Sequence, residues 1–266
     1  MHMKLILLLI YFAVLIGIGL YCRKHATDVN GFVLGGRSVG PWLTAFAYGT
    51  SYFSAVVFVG YAGQFGWKYG ISATWAGIGN AIIGSLLAWV VLGRRTRIMT
   101  QHLDSATMPQ FFGKRFGSSA LKIGASVIIF IFLIPYTASL YNGLSRLFGM
   151  AFNIDYSVCI IIMAILTAIY VIAGGYMATA INDFIQGIIM LFGIVTIIIA
   201  VLNSKGGLMQ AMDGLARATD ETVSQTPGIF ASFFGPDPIN LLFVVILTSL
   251  GTWGLPQMVQ KFYAIK

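Results

Sequence analysis

The chain has 266 residues, of which 58% are hydrophobic and only 9% are charged. A soluble globular domain carries about 25% charged residues, so this composition excludes a soluble domain, a disordered chain and a nucleic-acid-binding module. The net charge of +8 comes from 16 Lys and Arg residues against 8 Asp and Glu residues. In a chain this apolar, the positive charge indicates membrane topology and not a phosphate-binding surface. The sequence therefore predicts an integral membrane protein with no nucleic-acid partner.

Seven apolar stretches are long enough to cross the hydrocarbon core, which takes about 20 helical residues. The first is followed by Arg23 and Lys24, with no small-residue cleavage site, so we expect a retained helix and not a signal peptide. The predicted fold class is all-α, with about seven transmembrane helices. In chain order the stretches cover residues 3–22, 41–66, 70–93, 120–149, 155–174, 179–202 and 239–262.

The loop charges predict the orientation of these spans. If the N-terminus lies outside, the inner segments hold eleven Lys and Arg residues and the outer segments hold five. Positive residues collect on the cytoplasmic side, so we expect a multi-pass protein of the plasma membrane with its N-terminus outside and its C-terminus inside. The basic inner loop 94–119 is long enough for an interfacial amphipathic helix over Met108–Phe116. The acidic loop 203–238 suits the outer face.

The second span, AFAYGTSYFSAVVFVGYAGQFG, carries the densest cluster of small and polar residues. Gly49 lowers helix propensity, and the hydroxyls of Thr50, Ser51 and Ser54 offer the backbone alternative hydrogen bonds. These features favour an unwound helix whose freed carbonyl groups coordinate a cation, because irregular backbone at membrane depth lines a cavity or is buried in protein. Close helix packing through small residues is the alternative, and the cluster alone does not separate the two.

The seventh span, NLLFVVILTSLGTWGLPQMVQKF, is also interrupted. Gly251, Gly254 and Pro256 fall within six residues, and the proline removes a backbone donor. A kinked but continuous helix is the alternative. Two Gly/Pro-interrupted spans in corresponding positions of two halves indicate the binding site of a secondary transporter, and the second and seventh spans are five apart in order.

Asp183, in ATAINDFIQGIIM, is an exception among the eight carboxylates. It falls about one turn inside the sixth span, whereas the other seven lie in loops or at span ends. A carboxylate at that depth costs several kcal/mol unless it is paired, hydrated or neutralised, which makes Asp183 a functional candidate. The alternative is an interfacial residue favoured by the helix dipole.

The sequence shows no motif of enzymatic chemistry. His2, His25 and His102 are scattered without metal-binding spacing, and no Ser/His/Asp arrangement is suggested. The segment GGRSVG at 35–40 lacks the Lys-Ser/Thr of a phosphate-binding loop. We therefore predict a protein that is not an enzyme and needs no cofactor.

Four segments of the chain resemble the sodium:solute symporter family, which includes sodium/proline, sodium/pantothenate, sodium/galactose and sodium/sialic acid transporters. They are FVLGGRSVGPW, AYGTSYFSAVVFVGYAG, YVIAGGYMATAINDFIQG and GTWGLPQMVQKF. The third is the most specific, because the spacing of Gly174, Gly175, Asp183 and Gln186 closely matches the family's signature region. The resemblance extends over essentially the whole chain.

The resemblance implies a LeuT-type architecture, in which one extra N-terminal helix precedes two inverted repeats of five helices. On that pattern, residues 1–22 are the extra helix, 41–202 are the first repeat and 239–262 are the first helix of the second repeat. All lie in one transmembrane domain, 1–266. Family members continue for several more helices, so we expect the N-terminal portion of a transporter, with the second repeat largely missing and the missing C-terminal half as a partner.

The resemblance also implies a set of site residues. Ala47 and Thr50 occupy positions whose backbone carbonyls contribute to the shared sodium site, and Asp183 matches a carboxylate of a further sodium site or of gating. The solute-facing positions are Gly49, Ser51, Tyr52, Ser54, Ser249, Thr252 and Trp253. The helix breaks are predicted at Gly49, Gly251, Gly254 and Pro256.

The function that the resemblance implies is sodium-coupled symport of a small organic solute by alternating access, with the sodium ion as coupling ion. Tyr52 stands where the proline transporters carry an essential carboxylate, and Thr252 where the sugar transporters carry a gating tyrosine. The solute therefore stays open among amino acids, carboxylates, vitamins and sugar-like compounds. A membrane sensor region of a signalling protein and a non-functional truncated transporter are the alternatives.

Overall fold

The computed structural model describes residues 2–53 and 61–266. This part of the chain is helical, and its β-pairing is limited to the isolated bridges Val39–Ile265 and Asp220–Ser224. The all-α class predicted from the sequence is thus confirmed.

The α-helices of the described residues are numbered in chain order. Between α5 and α6 the chain continues in π-helical turns over Asn80–Leu87 and Trp89–Gly93. The helices are α1 (His2–Cys22), α2 (Val29–Leu34), α3 (Pro41–Tyr52), α4 (Ala62–Tyr69), α5 (Thr74–Gly79), α6 (Arg94–His102), α7 (Met108–Phe116), α8 (Ser119–Phe152), α9 (Tyr156–Ser204), α10 (Leu208–Arg217), α11 (Pro238–Leu250) and α12 (Pro256–Ala264).

Three helical runs of the described residues are long and apolar enough to cross a bilayer. They are Ala62–His102, Ser119–Phe152 and Tyr156–Ser204, and Pro238–Gly254 with Pro256–Ala264 makes a fourth if the broken pair counts as one span. The apolar part of α1, Ile6–Cys22, is shorter. These runs support a membrane location, while the number of seven spans and the repeat architecture stay predictions.

Helix α9 joins the fifth and sixth predicted spans into one run of 49 residues. At 1.5 Å per residue this is about 74 Å, far more than a bilayer core needs. The run is interrupted at Gly175, whose φ of 56° and ψ of −149° lie outside helical values. A β-carbon on Gly175 would lie 2.7 Å from the Phe32 carbonyl oxygen, so this position needs glycine for its conformation and for the close backbone approach.

The chain divides into two compact units. The first unit holds residues 2–53, 92–187 and 256–266 of the described chain, and the second unit holds 61–91 and 188–255. In the first unit, α1 crosses α9 with its backbone in contact, since a β-carbon on Gly174 would lie 2.7 Å from the Gly19 carbonyl oxygen. The short helix α12 is also deeply enclosed there, and its buried residues are Met258, Val259, Lys261, Phe262, Tyr263 and Ala264.

In the second unit, α11 packs against α5 and the π-helical turns that follow it. A β-carbon on Gly79 would overlap the Val245 side chain, so α11 packs directly on the backbone of α5. The Asn80 side chain donates a hydrogen bond to the Thr248 hydroxyl at 3.0 Å. Small and polar residues therefore hold these helices together in apolar surroundings.

Candidate functional site

Asp183 on α9 and Lys261 on α12 form an ion pair inside the first unit. Lys261 Nζ lies 3.5 Å from Asp183 Oδ2, and the two side chains are 8% and 23% exposed, respectively. Charges this deeply buried persist only when they are paired, because desolvation of an isolated ion is very costly. From the sequence alone, Lys261 is just one of the inner positive charges, and its role as the partner of Asp183 was missed.

The ring of Tyr176 also lies close to the Lys261 ammonium group. Lys261 Nζ lies 5.0 Å from the ring centroid, which is within the range of a cation–π interaction. Tyr176 is buried and directly follows the break at Gly175. The break in α9 therefore helps to set the position of this aromatic face.

Helix α3 meets α9 beside this ion pair. A β-carbon on Gly187 would lie 2.5 Å from the Phe46 ring and 3.2 Å from the Thr50 side chain, so α3 packs directly on the backbone of α9. The Thr50 hydroxyl donates to the Phe46 carbonyl at 2.9 Å and also approaches the Asp183 carboxylate. The structure thus brings together Thr50 and Asp183, two of the predicted sodium ligands.

The third predicted sodium ligand, Ala47, is fully buried on the same helix. Its carbonyl oxygen lies 3.4 Å from the Thr50 hydroxyl. Ala47 is therefore one helical turn from Thr50, and both residues supply oxygen atoms to the same side of α3.

The predicted helix break at Gly49 is wrong for this structure. Helix α3 continues through Gly49 to Tyr52, the Phe53 N–H donates to the Gly49 carbonyl at 2.9 Å, and the chain leaves helical geometry at Phe53. A glycine disfavours a helix by only about 1 kcal/mol, and the packing of α3 against α9 and α12 outweighs that preference. Ser54, a predicted solute contact, lies outside the described residues.

The remaining predicted solute contacts divide between the two units. Gly49, Ser51 and Tyr52 belong to α3 in the first unit. Tyr52 is buried there, with its ring centroid 6.0 Å from that of Tyr48. The other three residues, Ser249, Thr252 and Trp253, belong to the second unit.

In the second unit, the polar groups near the end of α11 contact neighbouring backbone. Ser249 is fully buried beside Gly79, on which a β-carbon would lie 3.2 Å from Ser249 Oγ. The Thr252 hydroxyl donates to the Ser249 carbonyl at 2.9 Å. The indole N–H of Trp253 donates to the Ile83 carbonyl at 3.0 Å, which connects this segment to the π-helical turns.

The interruption predicted for the seventh span is present in the structure. Helix α11 ends at Leu250, a 3₁₀ turn covers Gly251–Gly254, and Leu255 is extended. Helix α12 then begins at Pro256. Proline at the first helical position lacks only an N–H that would have no helical partner there, so it begins a helix well and cannot continue the preceding one.

Arg37, Thr100 and Ser105 form a second polar cluster in the first unit. From the sequence alone, Arg37 is only one of the inner positive charges. Its guanidinium donates to the Ser105 carbonyl at 2.8 Å and to the Thr100 carbonyl at 3.2 Å. Burial, and then the nearby Arg97, lower the pKa of the Arg37 guanidinium, which nevertheless stays charged at neutral pH. The two glycines before Arg37 were the signal in the sequence that could have indicated this cluster, because they form the turn that orients the Arg37 side chain.

Comparison with known proteins shows to which family these elements belong. The model of the sodium:solute symporter family matches residues 32–266. The chain belongs to the sodium:solute symporter family. The resemblance inferred from the motifs is thereby confirmed, and the matched residues include every predicted site residue, whereas α1 precedes the match.

Two curated relatives of this chain carry names of proline transporters. The osmoregulated proline transporter OpuE of Bacillus subtilis (strain 168) is 34% identical over 260 residues, which cover 97% of this chain and 51% of the relative. A sodium/proline symporter of Staphylococcus aureus (strain JH9) is 34% identical over 276 residues, which cover 98% of this chain and 50% of the relative. The chain spans about half the length of the curated relatives it matches.

Proposed function

We propose that the protein is a sodium-coupled symporter that moves a small organic solute across the cytoplasmic membrane by alternating access. The observation that carries this proposal is the pair of oxygen atoms on α3 in the first unit, where the Thr50 hydroxyl lies 3.4 Å from the Ala47 carbonyl beside the contact with α9. Hydroxyl and carbonyl oxygens buried among apolar helices are suitable for a small hard cation. Family membership supports the same function.

The coupling in this proposal is a linkage between two binding events. Sodium bound by oxygen atoms of α3 around Ala47 and Thr50 stabilises the conformation that binds the solute better, and the solute in turn strengthens sodium binding. Ser51 and Tyr52 follow Thr50 on the same helix and contact the solute. Because each ligand strengthens the binding of the other, the protein that carries both is favoured over the protein that carries only one. Sodium and solute therefore cross the membrane together.

The solute class that we propose is an amino acid, since both relatives are named as proline transporters. Tyr52 is a large, buried aromatic side chain on the helix that would contact the solute. A phenol at that position presents a hydroxyl and a ring face, and no negative charge. We therefore expect discrimination among amino acids to differ from that of a site with a carboxylate at this position.

The test is uptake by the protein at its natural full length, reconstituted into proteoliposomes. Radioactive proline and a panel of other amino acids are supplied with an inward sodium gradient or with a matched potassium gradient. We expect uptake of at least one amino acid above the gradient-free level with sodium and not with potassium. Equal uptake with the two cations would contradict sodium coupling, and uptake confined to sugars or vitamins would contradict the solute class.

A further inference from the structure

The Lys261 ammonium group occupies a place that could hold a monovalent cation. It has the Asp183 carboxylate at 3.5 Å on one side and the Tyr176 ring face at 5.0 Å on another. A carboxylate oxygen and an aromatic face both attract a single positive charge. A sodium ion carries the same charge as the ammonium group, and either one balances a single buried carboxylate.

Helix α12 holds Lys261 in this place through contacts on both sides of it. The Gln260 side chain donates to the Val33 carbonyl at 2.6 Å, and the Phe262 ring stacks on Tyr48 with centroids 6.0 Å apart. Farther along, the Val39 N–H donates to the Ala264 carbonyl at 3.4 Å. The lysine is therefore preorganised beside Asp183, which reduces the entropy that its side chain loses on pairing.

One buried carboxylate does not hold two cations at once. A sodium ion bound to Asp183 while Lys261 remains beside it would be repelled at short range in surroundings of low dielectric constant. Binding of an ion at Asp183 therefore requires that the ammonium group leave. While the pair is intact, Asp183 is neutralised by the protein itself.

We propose that Lys261 is a tethered cation that fills a latent sodium site at Asp183, and that it thereby sets the number of sodium ions the protein binds. This inference rests on the proposed sodium-coupled function and concerns its stoichiometry. The sodium bound around Ala47 and Thr50 needs no contribution from Asp183, whereas a protein without the Lys261 ammonium would bind one further sodium ion.

The test counts sodium ions on the purified protein at its natural full length. Equilibrium binding of radioactive sodium gives the equivalents bound by the wild type and by Lys261→Met, which keeps much of the apolar stem and loses the charge. We expect Lys261→Met to bind one equivalent more than the wild type. Lys261→Arg, which retains a positive charge beside Asp183, shows no gain, and adding Asp183→Asn to Lys261→Met abolishes the gain.

Competition by methylammonium distinguishes a tethered cation from a purely structural role of Lys261, because a purely structural role predicts no displacement of sodium. Methylammonium carries the charged group that Lys261→Met lacks, so we expect it to displace the additional sodium of this variant. Lys261→Gln, whose amide still donates a hydrogen bond to Asp183, provides the same count if the methionine variant does not elute as a folded protein.

Two results separate this inference from the proposed function. Wild-type protein that binds no sodium contradicts the proposed function itself. Sodium binding by the wild type with no additional equivalent in Lys261→Met or Lys261→Gln, or a gain that persists with Asp183→Asn, overturns the tethered-cation inference alone.

Discussion

The Lys261 ammonium group and the Asp183 carboxylate meet at 3.5 Å although they are 78 residues apart in the sequence. Neither group has another charged partner among the described residues. Because each charge compensates the other, loss of one leaves the second buried and unpaired, and that asymmetry makes the pair testable by a double-mutant cycle.

We expect Asp183→Asn and Lys261→Met each to lower the thermal stability of the purified protein more than the double variant does. Residues in direct contact typically show an interaction free energy of about 0.5–3 kcal/mol in such a cycle. The measurement is the apparent melting temperature of the four proteins in detergent without sodium, so that no ion replaces the ammonium group. Lys205→Met, at an exposed position, is the matched control and should leave the melting temperature unchanged. Strictly additive shifts would show that the two charges do not interact.

Thr50 and Thr44 provide a matched pair on α3. Both hydroxyls donate to the carbonyl four residues earlier, at 2.9 Å for Thr50 and 3.0 Å for Thr44, but the Thr50 hydroxyl also lies 3.4 Å from the Ala47 carbonyl of the proposed sodium site. We expect Thr50→Val to raise the sodium concentration for half-maximal uptake about 3–10-fold, the equivalent of one hydrogen bond. Thr44→Val should leave it unchanged. Equal effects of the two variants would assign the change to helix packing.

Gly187 tests the close packing of α3 on α9. Gly187→Ala would place a methyl group 2.5 Å from the Phe46 ring, and overpacking of this kind costs about 1–3 kcal/mol. We expect a lower melting temperature and weaker sodium binding. Gly124→Ala on α8, where nothing lies within 4 Å of the added carbon, should be neutral or slightly stabilising because alanine favours a helix. A Gly187→Ala protein as stable as the Gly124→Ala protein would argue against the close approach.

Substitution of Arg37 tests whether its hydrogen bonds to the Thr100 and Ser105 carbonyls order the end of α6 and the segment that follows it. Arg37→Gln removes charged hydrogen bonds to the Thr100 and Ser105 carbonyls, each of which contributes about 1.5–3 kcal/mol. We expect faster hydrogen–deuterium exchange of the amides in residues 100–107. Arg95→Gln, at an exposed position on α6, is the control. Unchanged exchange in Arg37→Gln would show that other contacts order the segment.

Asp220, in the second unit, provides a test of pH dependence outside the helices. The hydrogen bond from the Thr222 hydroxyl holds the pKa of the Asp220 carboxyl below its usual value. A carboxyl with a lowered pKa stabilises the turn above its unfolded pKa and loses that contribution as pH falls through its folded pKa. We expect Thr222→Val to raise the pKa of Asp220 toward its usual value, measured by NMR titration of the carboxyl carbon. An unchanged titration curve would contradict this role of the Thr222 hydroxyl.

Local signals in the sequence were enough to predict several elements. Helix α7 has the predicted bounds Met108–Phe116, because Thr107 caps its first turn and Gly117 takes the left-handed conformation that ends it. Helix α8, Ser119–Phe152, lies within three residues of the predicted span 120–149 at either end. The motifs were likewise sufficient to recognise the family, because the identity and spacing of their residues can be read from the sequence without a structure.

Only the tertiary structure decided which distant residues meet. Hydropathy placed Asp183 inside a predicted span, but no local pattern named Lys261 as its partner, because their contact depends on how α9 and α12 pack. The same packing keeps Gly49 within a continuous helix against its local preference. Intrinsic preferences of about 1 kcal/mol per residue predict where helices form, while the larger energies of burial and charge pairing, summed over residues far apart in the sequence, decide which side chains share a site.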